Sequence, residues 1–278
     1  MPYKRHDAFR TPRDETEIWH YTTLGRLAGM LALKSLYFVR ANRFPDPWEA
    51  SMPAAHFEPE NIRRLHGRRM APIKGQRVLS VEDEMRYGLT REKWSDRERK
   101  DFVVSCWCRS KGESDMHWQT YGRDTEGVAI RSSVQQLKRA LPSVGPNVYV
   151  GQVRYIDFEK SRIPREYPIQ RTMYKRLAFE NDREIRAVID AHTTKGRFGP
   201  TGGFVKVDMN ELVKEIVLSP MASRSLTEGV RAMVGLLGLG RRVRRSQLLD
   251  PPKYRSNRFK IGTPKRQVSL PFPERQEG

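Results

Sequence analysis

The sequence has little cysteine, no long apolar run and few acidic residues for its basic content. Its two cysteines, Cys106 and Cys108, are separated by one residue, so they cannot cross-link distant segments and no disulfide framework is expected. No apolar run approaches the roughly 20 residues that a membrane span requires. The first 17 residues also lack the apolar core of a secretory signal. These absences predict a cytoplasmic protein with no membrane partner.

Acidic side chains are outnumbered by basic ones. Lys and Arg number 52 and Asp and Glu 33, which gives a formal charge of +19, and residues 241–278 hold eleven basic against three acidic side chains. Such a surface favours nucleic acid, because phosphate binding releases condensed counterions. An anionic membrane and a merely soluble basic protein are alternatives. We expect DNA or RNA as a partner, leave a protein partner open, and assign phosphate contacts to Arg241, Arg242, Arg244, Arg245, Lys253, Arg255, Arg258 and Lys260.

The length of the chain predicts one domain. With 278 residues and 37% apolar side chains it can bury a substantial core, and it shows neither repeats nor a linker near its middle. We predict an α+β domain over residues 17–250, preceded by an N-terminal extension of residues 1–16. Residues 251–278 are expected to form a basic, flexible tail. Residues 58–100 are charged and weakly helical, which is typical of an insertion or lid.

The periodicity of the sequence predicts the order of elements. Thr23 opens a helix, and a turn is expected at Cys106-Trp107 after a strand at 102–105. The other predicted strands cover residues 18–21, 36–39, 128–130, 148–155, 184–189 and 205–207. Helices are predicted at 115–121 and 227–239, and residues 211–218 are expected to run from helix into strand.

Four short segments combine aromatic residues with His, Asp or Glu. A solvated surface does not need tryptophans, and a plain core does not need the polar side chains. The segments therefore either supply core aromatics with satisfied polar neighbours or converge on one cleft. They are residues 19–22 (WHYT), 44–49 (FPDPWE), 105–121 (SCWCRSKGESDMHWQTY) and 179–186 (FENDREIR).

Taken in order, these segments resemble a bacterial domain-of-unknown-function family, from about Ile18 to Leu248. Pro45 stands where that family commonly has Asn. Glu180 and Glu184 are four residues apart, so either acid can fill the late family position. The matching motifs are His-Tyr-Thr at 20–22, Leu-Tyr at 36–37, Phe-x-Asp-Pro-x-Glu at 44–49, Ser-Cys-Trp at 105–107, Glu-Ser-x-x-x-Trp-x-x-Tyr at 113–121 and the Lys-to-Arg motif at 175–186.

The order of a His-containing strand, a helix, an aromatic strand and a late Glu is similar to that of ADP-ribosyltransferases. The similarity implies a split, mostly antiparallel sheet flanked by helices, with NAD as a substrate. Together with the basic surface, this leads us to expect an enzyme that acts on, or is recruited by, nucleic acid, and the resemblance to the bacterial family implies a setting in defence or toxin biology.

In the His-Tyr-Glu form of those enzymes, the His holds the ribose of NAD, the Tyr stacks on nicotinamide and the Glu stabilises the oxocarbenium-like state. The similarity therefore implies roles for eight residues of this chain. They are His20 with Thr22 as ribose or diphosphate ligands, Tyr37 or Tyr121 as the stacking ring, Glu180 or Glu184 as the carboxylate, and Arg40 or Arg186 as the phosphate contact.

Some of these assignments have structural alternatives. His20 could cap a buried strand end, and Asp46 could fix a turn. Glu184 and Arg186 would lie on the same face of a strand, where they could simply form an ion pair.

Two other functions come from different readings of the same segments. A metal-dependent nuclease would place Asp46, Asp182 and Glu184 around Mg²⁺. A non-catalytic nucleic-acid-binding protein would stack bases on Trp107 or Trp118, although both are more typical of a core. Zinc is not predicted, since a fourth ligand at normal spacing is missing beside Cys106, Cys108 and His117.

Overall fold

Strand β3 lies at the centre of the main sheet and pairs with three other strands. The computed structural model describes residues 2–57, 99–121, 126–164, 166–194 and 196–252. Within these residues the strands are β1 (Glu17–Thr23), β2 (Ser35–Arg40), β3 (Phe102–Arg109), β4 (Gly127–Ser133), β5 (Tyr149–Gln152), β6 (Arg154–Ile156), β7 (Tyr174–Arg176), β8 (Glu184–Asp190), β9 (Gly202–Lys206), β10 (Glu215–Leu218) and β11 (Arg242–Arg245). The helices are α1 (Leu24–Leu33), α2 (Asp115–Tyr121), α3 (Val134–Ala140), α4 (Met209–Leu212) and α5 (Arg224–Leu236).

The main sheet has the strand order β11-β10-β4-β1-β3-β2-β9, and β8 pairs with both β3 and β5. Its pairings are antiparallel except for β10 with β11, and β6 and β7 form a separate parallel pair. The predicted α+β fold with a split, mostly antiparallel sheet flanked by helices is confirmed. The chain divides into a unit of residues 1–248 and a second unit of residues 249–278.

The split lies along one edge of β3. Val103 and Val104 pair with β2, whereas Cys108 and Arg109 pair with β1. Between them, residues 105–107 pair with neither strand on this edge, and we call this stretch the β3 gap. The opposite edge of β3 pairs with β8 along its length.

The two faces of the sheet carry different side chains, because successive residues of a strand point to opposite sides. On one face, Ile18 and Trp107 pack with Leu27 of α1 in the largest core cluster. On the other face, Trp19 and Cys108 pack with Trp118 of α2. We call them the α1 face and the α2 face.

Local sequence explains the main boundaries. The Thr23 side chain accepts a hydrogen bond from the Arg26 N–H, which caps α1, and Ser223 caps α5 through the Leu226 N–H. At the start of β9, Gly202 has a φ of 137°, and a Cβ there would lie 2.0 Å from the Phe38 carbonyl oxygen. Only glycine permits this approach of β9 to β2.

Several sequence-based expectations were wrong. No turn interrupts β3 at Cys106-Trp107, because residues 105–108 remain paired with β8. The strand expected over residues 148–155 is divided into β5 and β6 at Val153, whose N–H binds the Glu184 carbonyl. No element was predicted for the basic run at 241–245, which contains strand β11. Of the expected insertion, residues 58–98 lie outside the described residues, as do Lys253, Arg255, Arg258 and Lys260.

Candidate active site

Five charged side chains meet on the α2 face and form what we call the buried ionic cluster. The Lys175 Nζ lies 2.7 Å from Glu184 Oε1, 2.7 Å from Asp182 Oδ2 and 3.0 Å from Glu49 Oε1. The Arg186 guanidinium lies 2.6 Å from Glu184 Oε2 and 2.7 Å from Glu49 Oε2. Three carboxylates thus surround two cations, which gives the cluster a formal charge of −1.

Four separate parts of the chain build the buried ionic cluster. Glu184 and Arg186 alternate on β8 and share its α2 face, so the ion pair expected there is confirmed. Lys175 comes from β7, and Asp182 ends a 3₁₀ segment that leads into β8 through the left-handed Arg183. Glu49 ends the FPDPWE segment.

The FPDPWE segment is itself held in place by ionic contacts. Asp46 is buried, forms an ion pair with Arg176 at 3.0 Å and accepts a hydrogen bond from the Trp48 N–H. Arg99 donates to the Ala41 and Asp46 carbonyls. These contacts fix the backbone that positions Glu49.

Charges within the buried ionic cluster keep it ionised. Burial alone raises the pKa of the Glu184 carboxyl, but Arg186 and Lys175 outweigh burial and lower that pKa to about 2. At Lys175 and Arg186 burial favours the neutral form, but Glu184 and Glu49 outweigh it and raise both pKa values. Glu184 is therefore a fixed negative charge at neutral pH.

Helix α2 places Tyr121 and His117 beside the buried ionic cluster. Tyr121 is about half exposed, and burial together with Asp182 and Glu184 raises its pKa to about 12, so it stays protonated. The His117 ring lies 6.1 Å from the Tyr121 ring, and its Nδ1 lies 2.8 Å from Ser114 Oγ. Burial lowers the pKa of His117, which makes the imidazole neutral at pH 7.

His20 lies on the opposite face of the sheet from Glu184. Its ring centroid is 5.1 Å from that of Trp107 on the α1 face, and its Nδ1 is 2.9 Å from the Cys106 carbonyl oxygen at the β3 gap. Burial lowers the pKa of His20. Thr22 is buried on the same face, and among the described residues neither the Ser105 hydroxyl nor the Trp107 indole N–H has a hydrogen-bond partner.

Tyr37 and Arg40 have other partners. The Tyr37 hydroxyl donates to Thr201 Oγ1 at 3.0 Å, and its exposed ring meets Phe204 edge-on. The Arg40 guanidinium donates to the carbonyls of Lys100, Phe198 and Gly199, so its N–H groups already serve the protein backbone. Arg186 is fully buried between two glutamates. Neither Arg40 nor Arg186 therefore has the surroundings of a phosphate ligand.

The structure brings together Glu184 and Tyr121 but does not place His20 or Tyr37 in contact with them. Glu180 is exposed on the segment before β8. Sequence reasoning missed the role of Lys175 as the centre of the buried ionic cluster. The alternation of charges in FENDREIR signals a charged strand start, and the motif at 175–186 begins with Lys175, but the motif does not reveal that this lysine contacts three carboxylates.

A second group of charges, which we call the edge cluster, lies where β4, β10 and β11 meet. Arg244 contacts Glu113 at 2.9 Å and Glu215 at 3.1 Å. Arg131 contacts Glu215 at 3.8 Å and also pairs with Glu17. Nearby, Arg241 donates to the Asn210 carbonyl, Arg242 lies 3.5 Å from Glu215 and Arg245 donates to the Pro220 carbonyl.

The geometry gives no support to a Mg²⁺ site at Asp46, Asp182 and Glu184 or to bases stacked on Trp107 or Trp118. The carboxylates proposed for Mg²⁺ are neutralised by protein cations, Asp46 by Arg176 and Asp182 by Lys175. Among the described residues no group of three or more His, Cys, Asp or Glu side chains is arranged to hold a metal ion. Trp107 and Trp118 are buried, so neither can stack a base in this conformation.

Comparisons with known proteins give distant structural similarities. No family model and no curated protein matches the chain, so the likeness to a bacterial family of unknown function remains a resemblance. Three solved structures are similar in part: Thermus sp. 2.9 DarT in complex with ADP-ribosylated ssDNA, with NAD+ and with carba-NAD+. Their TM-scores are 0.36, 0.38 and 0.34, at 15%, 14% and 15% identity. The matches cover 84–85% of this chain and 96–98% of the other, and TM-scores below 0.5 do not determine its activity.

Proposed function

We propose that this chain is an NAD-using, ADP-ribosyltransferase-like enzyme that acts on, or is recruited by, nucleic acid. The observation that carries the proposal is the Glu184 carboxylate at the start of β8. Arg186 and Lys175 hold it ionised and fix its position beside the half-exposed Tyr121. The ionised carboxylate and the neighbouring tyrosine ring each meet one requirement of ADP-ribosyl transfer.

The reaction requires a fixed negative charge. When the bond between the ribose C1′ and nicotinamide breaks, its electron pair leaves with nicotinamide and positive charge develops on the ribose ring. A carboxylate that is already oriented stabilises that charge without reorganising. The acceptor oxygen or nitrogen then bonds to C1′ and gives up its proton to solvent. In this proposal Glu184 supplies the charge and the Tyr121 ring orients the leaving nicotinamide.

His20 is proposed as a ribose ligand at the β3 gap. The Cys106 carbonyl can only accept a hydrogen bond, so the neutral ring carries its proton on Nδ1 and leaves Nε2 as an acceptor. A ribose hydroxyl is a matching donor. The β3 gap is bordered by His20 on the α1 side and by Cys106 and the buried ionic cluster on the α2 side, which supports a ligand bound there.

The proposed partner and setting rest on composition and on the resemblance to bacterial sequences. A charge of +19 supports a nucleic-acid acceptor or recruiter. We propose bacterial defence or toxin biology as the setting and the cytoplasm as the compartment. None of the described helices is long and apolar enough to cross a membrane.

Nicotinamide release from NAD tests the proposed carboxylate. We expect Glu184→Gln to reduce turnover by roughly 10²-fold or more, because an electrostatic stabiliser of the transition state is removed. Glu180→Gln is the matched variant, since Glu180 is exposed and lies four residues away on the same segment. Turnover is expressed per folded molecule, with the folded fraction taken from near-UV circular dichroism. If Glu184→Gln folds and retains wild-type turnover, or if Glu180→Gln loses as much turnover, the assignment to Glu184 is wrong.

NAD binding tests His20. We expect His20→Ala to weaken NAD binding several-fold while the melting temperature changes little, because Nε2 would contact the ligand and not the protein. His20→Phe, which keeps ring packing against Trp107 but has no nitrogen, should weaken binding equally. A large loss of melting temperature with unchanged binding per folded molecule would make His20 a core residue.

A further inference from the structure

A cavity outside the proposed active site lies between α5, β11 and the loop that precedes α5. Its volume is about 360 Å³, within the range of roughly 300–1,000 Å³ that small-molecule sites occupy. Its lining holds three arginines and one glutamate, a formal charge of +2. The lining residues are Ala222, Arg224, Thr227, Glu228, Arg231 and Arg245.

Two of the three arginines of this cavity, Arg231 and Arg245, are held in place before any ligand binds. The Arg231 Nε donates to the Val243 carbonyl at 3.0 Å, and the Arg245 NH1 donates to the Pro220 carbonyl at 3.1 Å. Arg231 also pairs with Glu228 of the lining at 2.6 Å, so these contacts orient both guanidinium groups. Arg224 is exposed and forms no ion pair within the part of the chain that the structure describes. Ordering in advance lowers the entropy cost of binding.

The cavity is remote from Glu184. Cross-strand partners connect Glu184 through Cys108, Trp19, Arg131 and Glu215 to Arg242, which is five strand spacings. At about 4.8 Å per spacing, β11 lies roughly 24 Å from β8 across the sheet. Arg245 and Val243 also point to the α1 face, opposite the buried ionic cluster. A ligand in this cavity is therefore not the group that reacts beside Glu184.

We propose that this cavity binds a phosphodiester of a nucleic-acid backbone and recruits the nucleic acid to the enzyme. The inference rests on the proposed function and names a folded site for its partner. Planar guanidinium groups match the oxygens of a phosphate, and three of them converge on one concave surface that a flat bilayer does not enter. At about 3.4 Å between phosphates, seven nucleotides of a helical strand span the distance to β8.

Binding of a fluorescent 20-nucleotide oligothymidine, measured by anisotropy between 50 and 200 mM NaCl, tests the proposal in the full chain. We expect Arg224→Gln to weaken binding about five- to tenfold, and to make the log-log salt slope shallower by about 0.7. Arg139→Gln is the matched control, because Arg139 is exposed on α3 and its loss changes the net charge equally. It should change affinity less than twofold.

We expect Glu228→Gln to change the affinity for the oligonucleotide in the direction opposite to Arg224→Gln. Removing the negative charge from the lining should tighten oligonucleotide binding about threefold, whereas Glu159→Gln at an exposed position far from the cavity should not. Equal effects of the lining and control substitutions would show that only net charge matters and would overturn the proposal. Effects seen with anionic lipid vesicles and absent with oligothymidine would also overturn it, as would pyrophosphate binding without oligonucleotide binding.

Wild-type nicotinamide release is measured in the same preparations. If nicotinamide release is absent while Arg224→Gln and Glu228→Gln shift oligonucleotide affinity in opposite directions, the proposed enzyme activity is wrong and the phosphate site is retained. If release is present and the substitutions behave like their controls, the enzyme remains and the phosphate site fails.

Discussion

The buried ionic cluster and the edge cluster use the same residue types in two environments. Side chains of the buried ionic cluster are at most 22% exposed, and Arg186 is 1% exposed. In the edge cluster, Arg131 is 33% and Arg244 23% exposed. Glu215 of the edge cluster is itself only 8% exposed, so the two clusters differ in their cations: water reaches Arg131 and Arg244 but not Arg186. Each of the two buried glutamates, Glu184 and Glu215, is held by cations, but only at Glu184 are those cations closed off from solvent.

The largest expected effect is the loss of a buried cation. We expect Arg186→Met to lower the free energy of unfolding by about 3–5 kcal/mol, because it leaves Glu49 and Glu184 with one cation between them. Urea unfolding measures the change. Arg244→Met in the edge cluster is the control and should cost about 1–2 kcal/mol, because Glu215 keeps Arg131 and Arg242 as cation partners. Equal costs for the two substitutions would remove the distinction between the clusters.

The next effect concerns pH. The folded pKa of Glu184, about 2, lies below its ordinary value of 4.5, so its ionisation stabilises the fold above pH 4.5. This contribution is lost as the pH falls from 4.5 towards 2. At 1.36 kcal/mol per pKa unit it amounts to roughly 3 kcal/mol. This loss of unfolding free energy should be absent in Glu184→Gln and present in Glu215→Gln. Urea unfolding midpoints measured at a series of acidic pH values distinguish these outcomes.

The smallest effect concerns salt. The cost of Arg244→Met should fall by about half or more between 0.05 and 1 M NaCl, because the Debye length shrinks to about 3 Å and screens exposed pairs. The cost of Arg186→Met should stay the same within error, since ions do not reach it. Comparing each variant with wild type at the same salt concentration cancels general salt effects. A salt-sensitive Arg186 would mean that the buried ionic cluster admits solvent.

The sequence predicted elements whose signals are local. The Thr23 cap and the apolar face of the following residues identify α1, and α2 matches the helix expected at 115–121. Strand β11 was not predicted, because four residues with three arginines form a strand only through parallel pairing with β10. Similarly, Cys106-Trp107 has the composition of a turn, and its pairing with β8 overrides that preference.

The candidate site was predictable in composition and not in geometry. The charged start of β8 and the FPDPWE segment both contribute to the buried ionic cluster, as their polar residues beside aromatics indicated. Side chains alternate between the two faces of the sheet along β1 and β8. His20 and Glu184 lie on opposite faces because of the register of these two strands with β3. Register is set by partners far away in the chain, which local patterns do not reveal.

The pairings of β3 also determine how the protein folds. Its partners are distant in sequence: Cys108 lies 89 residues after Trp19 and 76 before Glu184, and Val104 lies 65 after Val39. Contacts of such separation close large loops and slow folding. During synthesis β3 emerges well before β8, so one of its edges stays unpaired until the ribosome has added about 80 more residues. A nascent chain with an open central strand is a substrate for chaperones, and we expect the yield of folded protein to depend on them.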